Sequence, residues 1–452
     1  MMQFLIDDLP GVLILSTFFL VLLAVAEAWR RLGRARPEWT RKLVHLAGGL
    51  ACLAFPFLVS SPWTVLIMAL GMSLLFALGG ATGILRSLHG VKRRTRGSEY
   101  YPLAVFLVFV MARGRPWLYV SSVLVLAVAD AFAALIGSRY GRIHYEVEEE
   151  TKSVEGSLVF LVIAFLAIHL PMLMMTGIPR SVCVLAALYV AVLVTAFEAI
   201  SLGGTDNLFV PIGVCAILLK ITARSADEIM YQNVSMLVIS AATGMIVWRA
   251  RSFNVGGTIA FALFAYGVWS LGSQWWALPV FLGFAVYMAA WFVFPIAKDE
   301  RSNVKVRIVF RAVIVPFLLL IAANLLDLMS AFYAPFIASL IAVLTFSLWN
   351  HILYHRPPAR ARRRFAALCV ATGSWAVLGV IPWAITRGPT STLLAVGAAA
   401  IAVAALNDVL IGREPRFGAE QIWTASRVIL TLAAAAAVQL LQGFGAVPAW
   451  AP

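Results

Sequence analysis

Charged residues are scarce in this chain and make up only 12% of its 452 residues. Soluble domains average about 25% charged residues, and the mean hydropathy here is +0.92, so a soluble globular fold is excluded. Cysteine is scarce too, with four residues scattered inside apolar runs. Because none has the spacing of a zinc site or a disulfide framework, we interpret all four as packing residues.

The motifs of soluble phosphoryl-transfer enzymes are absent as well. The chain contains no Gly-x-x-x-x-Gly-Lys-Ser/Thr segment, no kinase catalytic loop and no His-Glu-x-x-His motif. A net charge of +14 is typical of nucleic-acid binding, but the basic residues lie between apolar runs, as the positive-inside rule predicts. We therefore expect no nucleic-acid partner, and any phosphate chemistry must take place between membrane helices.

Long apolar runs are what the chain has in abundance, since 62% of its residues are hydrophobic. A helix of about 20 apolar residues spans a bilayer, and about 16 such runs can be placed. They lie at roughly 9–29, 43–60, 62–80, 101–113, 117–137, 158–176, 181–200, 207–222, 233–250, 255–272, 275–296, 308–326, 331–350, 365–386, 390–411 and 422–442. This pattern predicts an all-α, polytopic membrane helix bundle in two halves, residues 1–230 and 231–452, which meet near a polar segment at 225–235.

The distribution of positive charge predicts the orientation. If the N-terminus lies outside, the alternate segments that face the cytoplasm hold 29 of the 35 Lys and Arg residues, as the positive-inside rule requires. We expect a multi-pass protein that interacts with membrane lipids, in the plasma membrane of a prokaryote. The segment 138–157 then faces the cytoplasm, where nucleotides are available.

The most unusual stretch of the chain runs from Asp130 to Ser157. Asp130 interrupts an apolar run, where an ionised carboxylate is costly without a partner. The loop and helix start that follow supply further polar or flexible residues: Gly137, Gly141, Lys152, Ser153, Glu155, Gly156 and Ser157. These groups are suited to holding a metal ion and phosphates. The alternative is a polar contact between helices beside a charged loop.

Other polar groups lie at the ends of apolar runs. Lys42 and His45 share one face of a helix, and an imidazole one turn inside the membrane needs a partner, although Lys42 alone is also an ordinary anchor. Glu198 and Asp206 flank a turn without Lys or Arg, which indicates bound Mg²⁺; the alternative is a turn in which Asp206 caps the next helix. The basic loop at 88–102 is suited either to lipid headgroups or to a nucleotide.

Taken in order, these motifs resemble the polyprenol kinases, a family that includes dolichol kinase, phytol kinase and the CTP-dependent diacylglycerol kinase. The resemblance covers about residues 25–222. It is carried by Arg41-Lys42-x-x-His45, Gly97 with Tyr101-Pro102, Asp130-x-x-Ala133 with Gly137 and Gly141, Lys152-Ser153-x-Glu155-Gly156-Ser157, and Glu198 with Asp206-Asn207. The second half is similar, more faintly, to the phytyl-phosphate kinase family. Because no lysine–serine motif follows Asp408, we expect that half to be degenerate.

The resemblance implies transfer of the γ-phosphoryl group of CTP or ATP to the hydroxyl of an isoprenoid or other long-chain lipid alcohol. It implies Mg²⁺ held by Asp130 together with Asp206 or Glu198. The nucleotide would be bound by Lys42, Gly137, Gly141, Lys152, Ser153, Glu155, Gly156 and Ser157. Lys152 would also act in catalysis by contacting the phosphates. His45, Glu198 and Asp130 remain three candidates for the base that takes the alcohol proton.

Two alternatives to the kinase remain open at this point. A CTP-dependent cytidylyltransferase would act on a lipid phosphate and release pyrophosphate. A membrane transporter or flippase would use two similar halves of helices without turning over nucleotide.

Overall fold

The computed structural model of the protein describes residues 7–33, 37–82, 97–148, 150–294, 304–355, 362–411 and 425–452. The chain forms two compact units, Met1–Val234 and Ser235–Pro452. Within the described residues, 13 helices are long and apolar enough to cross a membrane, and the helix Gly97–Met111 is apolar but shorter. The prediction of an all-α polytopic bundle is confirmed. The predicted run at 43–60 is divided between the helices Pro37–Cys52 and Phe55–Leu58, and the runs at 101–113 and 207–222 form helices of 15 and 16 residues.

The first unit is built almost entirely from helices. In chain order they are α1 Leu9–Leu32, α2 Pro37–Cys52, α3 Phe55–Leu58, α4 Pro62–Thr82, α5 Gly97–Met111, α6 Pro116–Leu124, α7 Asp130–Tyr140, α8 Val154–Met175, α9 Arg180–Ile200 and α10 Asp206–Ile221. The basic loop at 88–102 lies, up to residue 96, outside the described residues.

Helix α11, Ala226–Ala250, begins in the first unit and ends in the second. The polar segment that suggested a boundary is therefore helical from Ala226 on. Its start is a capping box: the Glu228 amide donates to Ser225 Oγ at 3.3 Å, and the Ser225 amide donates to Glu228 Oε2 at 2.9 Å. These two bonds explain how so polar a segment begins a helix.

A π-helical segment, Val125–Ala129, joins α6 to α7 within one continuous span, Pro116–Tyr140. Four of its five residues are buried. A π-helical turn displaces carbonyl groups from the regular α-helical hydrogen bonds and is common at functional sites. Asp130 is the first residue after this segment, so the irregular turn directly precedes the acidic residue that the sequence singled out.

The predicted polar loop before α8 contains an antiparallel hairpin, which the sequence reading did not anticipate. Strand β1, His144–Val147, pairs with β2, Glu150–Ser153, with Tyr145 opposite Lys152. Buried and exposed residues alternate along β1, as expected for a strand with one covered face. Strand β2 leads directly into α8, so Lys152 is held on a short rigid element.

The start of α1 is fixed by Asp8, whose side chain is 2% exposed. Its carboxylate accepts hydrogen bonds from the Ser60 amide and hydroxyl at 2.8 and 2.9 Å, from the Ser61 amide at 3.0 Å and from the Thr64 hydroxyl at 2.8 Å. Burial raises the pKa of Asp8, but these four bonds outweigh it and hold the pKa below the usual value. The carboxylate thereby ties α1 to the start of α4.

The second unit continues with α12 Val255–Gly272, α13 Gln274–Val293, α14 Val306–Leu325, α15 Met329–His355, α16 Arg363–Trp375, α17 Ile381–Thr386, α18 Thr390–Ile411 and α19 Ala425–Gly443. Its core surrounds α15, where the buried rings of Tyr333 and Phe336 contact Trp276.

Cys369 is exposed. The packing role expected for all four cysteines is therefore wrong for this residue, because its side of α16 is uncovered. The Asp408 side chain lies outside the described residues.

Candidate functional site

Helix α2 places His45 against the π-helical segment. His45 Nε2 lies 3.0 Å from the carbonyl oxygen of Leu126 and 3.2 Å from Asp130 Oδ2. Because both neighbours are oxygen acceptors, we assign the proton of the neutral ring to Nε2, which leaves Nδ1 as the basic nitrogen. Sequence reasoning singled out both His45 and Asp130 but did not pair them.

Close packing of α2 on the π-helical segment makes this contact possible. A Cβ atom built on Gly49 would overlap Ala127 Cβ and the Tyr101 hydroxyl, so only glycine allows this approach. The His45 ring also meets the Tyr101 ring edge to face, with centroids 5.0 Å apart. The imidazole is thus oriented from three sides: by a carboxylate, a main-chain carbonyl and an aromatic ring.

Lys152, at the end of the hairpin, pairs with Glu198 near the end of α9. Lys152 Nζ lies 2.8 Å from Glu198 Oε1, donates to the Glu198 carbonyl oxygen and lies 3.4 Å from Ser201 Oγ. The two side chains are 17% and 14% exposed. A lysine at the C-terminus of a helix is favoured by the helix dipole, so the pair joins the hairpin firmly to α9.

Asp206, the first residue of α10, completes a group of charged side chains. Its Oδ1 atom is buried and has no hydrogen-bond partner among the described residues. Electrostatic interactions link Asp206 with Asp130, Lys152 and His45, and link Glu198 with Asp206 and Asp130. We call His45, Asp130, Lys152, Glu198 and Asp206 the charged cluster. Each was singled out separately in the sequence, and the fold brings all five together.

The predicted phosphate-binding glycines lie where α7 crosses α8. A Cβ atom on Gly156 would lie 3.1 Å from the Ala133 carbonyl oxygen and 3.2 Å from Gly137 Cα, while one on Gly137 or Gly141 would lie 2.8 or 3.0 Å from Ser153 Oγ. Their lack of side chains lets the two helices touch. Whether their main chain also approaches a nucleotide stays a prediction.

The remaining predicted nucleotide ligands have protein partners in this structure. Ser153 Oγ caps α8 by accepting from the Gly156 amide at 3.1 Å. Glu155 Oε1 accepts from the Arg142 amide at 3.0 Å, and Ser157 Oγ lies 2.7 Å from the Tyr145 hydroxyl. These residues build the base of the hairpin that carries Lys152, and direct contact with a nucleotide stays a prediction. Lys42 is half-buried on α2, three residues before His45.

The start of α5 packs beside the start of α10. A Cβ atom on Gly97 would overlap Asn207 Nδ2 and would lie 3.5 Å from Gly204 Cα. The turn before α10 contains Gly203 and Gly204 at φ values of 63° and 84°, which only glycine adopts readily. The glycines of the 97–102 and 201–207 motifs therefore bring two helix N-termini to the same end of the unit.

The fold and the site together define a class of protein. It is a polytopic helical membrane protein, and in one of its units acidic, basic and imidazole side chains lie close together at the ends of helices. No family model matches the chain, and no solved structure matches it. The phytol kinase of Synechocystis sp. (strain ATCC 27184 / PCC 6803 / Kazusa) is 32% identical over 200 residues, which cover 44% of this chain and 85% of that protein. The chain belongs to the phytol kinase family.

Proposed function

We propose that the protein is a kinase that transfers the γ-phosphoryl group of a nucleoside triphosphate, CTP in the first place, to the hydroxyl of a long-chain isoprenoid alcohol. The relationship to a phytol kinase supports the reaction class. The observation that carries the proposal is the charged cluster, in which a His–Asp pair and a Lys–Glu pair meet a carboxylate that has one unpartnered oxygen, Asp206 Oδ1. The reaction would take place at the cytoplasmic face, where the nucleotide is present.

Phosphoryl transfer depends chiefly on positioning and on neutralising oxygen charge. Lys152 is the cation best placed to meet a phosphate, and it would exchange its bond with Glu198 for one with a phosphate oxygen. His45 is the best-oriented base, because Asp130 and the Leu126 carbonyl oxygen fix its ring. As the alcohol oxygen bonds to the γ-phosphorus, the bond from that phosphorus to the β-phosphate oxygen breaks and the nucleoside diphosphate leaves. The O–H bond of the alcohol breaks at the same time, and its proton passes to His45 Nδ1.

The residues present fit Mg²⁺. No set of three or more His, Cys, Asp or Glu side chains in the described part of the chain forms a metal site by itself. Mg²⁺ needs only one or two carboxylates when phosphate oxygens and water complete its shell, and the buried, unpartnered Asp206 Oδ1 near Asp130 suits that requirement. Asp206 and Asp130 would hold the ion, which would neutralise charge on the transferred group.

The test uses purified full-length protein with Mg²⁺, labelled CTP or ATP, and a panel of prenyl alcohols. We expect a labelled lipid phosphate and a nucleoside diphosphate. Asp130→Asn should lower the rate by about 10²-fold or more, the range expected for loss of acid–base catalysis. The matched control is Asp227→Asn, which removes an exposed carboxylate on α11 and should leave the rate unchanged.

The products also separate the rival functions. Pyrophosphate and a CDP-lipid would identify a cytidylyltransferase, and lipid movement without nucleotide turnover would identify a transporter. Full activity of Asp130→Asn would contradict the role given to the charged cluster.

A further inference from the structure

The hydroxyl group of Tyr101 is buried and has no hydrogen-bond partner among the described residues. A buried hydroxyl that forms no hydrogen bond loses its hydration without replacement, and such groups are rare in folded proteins. Tyr119 shows the usual arrangement in the same unit, since its buried hydroxyl donates to the Cys52 carbonyl oxygen at 2.9 Å. The Tyr101 hydroxyl therefore calls for a separate explanation.

The position of this hydroxyl relative to the charged cluster is specific. The Tyr101 ring contacts the His45 ring, and its hydroxyl lies against Gly49 and Ala127. Gly49 is one helical turn beyond His45 along α2, and Ala127 precedes Asp130 in the span. Both neighbours place the hydroxyl on the apolar side of the His45–Asp130 pair, further from the polar helix ends.

An alcohol that arrives from the lipid phase meets this side of the pair first. Its hydroxyl needs a hydrogen-bond partner as soon as it is surrounded by apolar groups. The Tyr101 hydroxyl lies beside Gly49 and Ala127, which have no side chain and a methyl group, so a small separation of α2 from the π-helical segment would uncover it. Within the charged cluster, the buried atom without a partner among the described residues is Asp206 Oδ1, which the Mg²⁺ role proposed above accounts for.

We propose that Tyr101 is part of the binding site for the acceptor alcohol: its hydroxyl forms a hydrogen bond to the alcohol oxygen and holds it beside His45. The proposal rests on the kinase function proposed above and adds the residue that recognises the lipid end of the reaction. The Tyr101 ring keeps its contact with His45 throughout, and no covalent step involves the phenol.

The variant Tyr101→Phe removes this hydroxyl alone, and Tyr119→Phe is the matched control. For Tyr101→Phe we expect KM for the prenyl alcohol to rise by about tenfold, the scale of one lost hydrogen bond, with KM for the nucleotide unchanged. Its thermal midpoint should be unchanged or higher, because an unsatisfied buried hydroxyl has been removed. Tyr119→Phe should have a lower midpoint and unchanged KM values, because it leaves the Cys52 carbonyl without its donor.

A second measurement does not depend on turnover. Equilibrium binding of tritiated phytol to the full-length protein in lipid nanodiscs, without nucleotide, should be about tenfold weaker for Tyr101→Phe than for the unaltered protein. Weaker binding together with no lipid phosphate from the unaltered protein would support the alcohol contact and overturn the kinase. If Tyr101→Phe phosphorylates the alcohol normally, and its KM and phytol binding equal those of the unaltered protein, the alcohol contact is overturned and the kinase proposal stands. Failure of the unaltered protein to bind phytol would likewise overturn the alcohol contact alone.

Discussion

At the scale of single residues, the Lys152–Glu198 pair has two roles that a single substitution cannot separate. Both side chains are largely buried and 2.8 Å apart, so each neutralises the other within a region of low dielectric. Removal of one partner leaves the other charge buried and unpaired, which is costly, whereas replacement of both by neutral side chains of similar size is much less so. Loss of activity in Lys152→Ala would therefore not by itself identify a phosphate ligand.

The double variant Lys152→Met/Glu198→Gln separates stability from function. We expect Lys152→Met alone to lower the free energy of unfolding by about 3 kcal/mol and to abolish activity. The double variant should recover most of that stability while staying inactive, because the cation for the phosphate is still missing. Denaturant unfolding in detergent and the lipid phosphate assay measure the two effects.

Arg224→Met, at an exposed position between α10 and α11, serves as the control for loss of a positive charge. It should retain activity and stability. A double variant that regains activity together with stability would show that Lys152 only supports the hairpin and would leave Lys42 as the next residue to examine.

The residues of the charged cluster could be selected from the sequence one by one, but their pairing could not. His45, Asp130, Lys152, Glu198 and Asp206 stand out because ionisable groups in or beside apolar runs are expensive. Which of them meet depends on which helix ends adjoin, and no local pattern encodes that. Tyr101 carried no such signal, because a tyrosine near the end of a membrane helix is common.

At the scale of elements, three of the helices that carry the site are short. Helices α2, α5 and α10 contain 16, 15 and 16 residues, or about 24 Å at 1.5 Å per residue. The hydrocarbon core of a bilayer is about 30 Å thick, so these helices are too short to cross it fully. Their polar first turns can therefore lie within the membrane boundary, where a lipid hydroxyl and a nucleotide can meet.

The crossing of α7 and α8 gives a test at this scale. Gly156→Ala would place a methyl group 3.0 to 3.2 Å from Ser153 Oγ, the Ala133 carbonyl oxygen and Gly137 Cα. Two of the three neighbours are main-chain atoms that cannot rotate away, so we expect a loss of about 1–3 kcal/mol in stability. Because β2 leads into α8, Lys152 should shift as well, and activity should fall together with stability.

Gly213→Ala on α10 is the matched control, since no atom lies within 4 Å of its added Cβ and alanine favours a helix. Its stability should be unchanged or slightly higher, as measured by thermal unfolding. Equal stability of the two variants would show that α7 and α8 separate easily at this crossing. A Gly156→Ala protein that is fully stable but inactive would instead favour close approach of the main chain to a nucleotide.

Helices were easier to predict than the elements that shape the site. Most apolar runs became single helices, because a segment in lipid must satisfy its own backbone hydrogen bonds, while the run at 43–60 was divided between α2 and α3. The hairpin was missed because its strands have four residues each, too few for a clear alternating pattern. The π-helical segment was not predicted, because a uniformly apolar run has the same sequence pattern whether the helix is an α-helix or a π-helix with about one more residue per turn.

At the scale of the whole molecule, orientation in the membrane connects the charged cluster to its proposed nucleotide. The hairpin and the starts of α2, α5 and α10 have to face the compartment that holds the nucleotide. The charge distribution predicts that they do, since 29 of the 35 Lys and Arg residues lie in the segments assigned to the inside.

Single cysteines at the two ends of α8 test that orientation in the full-length protein. Thr151 is exposed on β2, and Gly177, between α8 and α9, has open space around an added Cβ. Both substitutions, Thr151→Cys and Gly177→Cys, are made with Cys369→Ser, because Cys369 is exposed while Cys52, Cys183 and Cys215 are buried. On intact cells, a membrane-impermeant maleimide should label Gly177→Cys, and it should label Thr151→Cys only after the membrane is opened. The reverse pattern would place the charged cluster outside, away from cytoplasmic nucleotide, and a kinase that uses CTP or ATP could not then operate at that site.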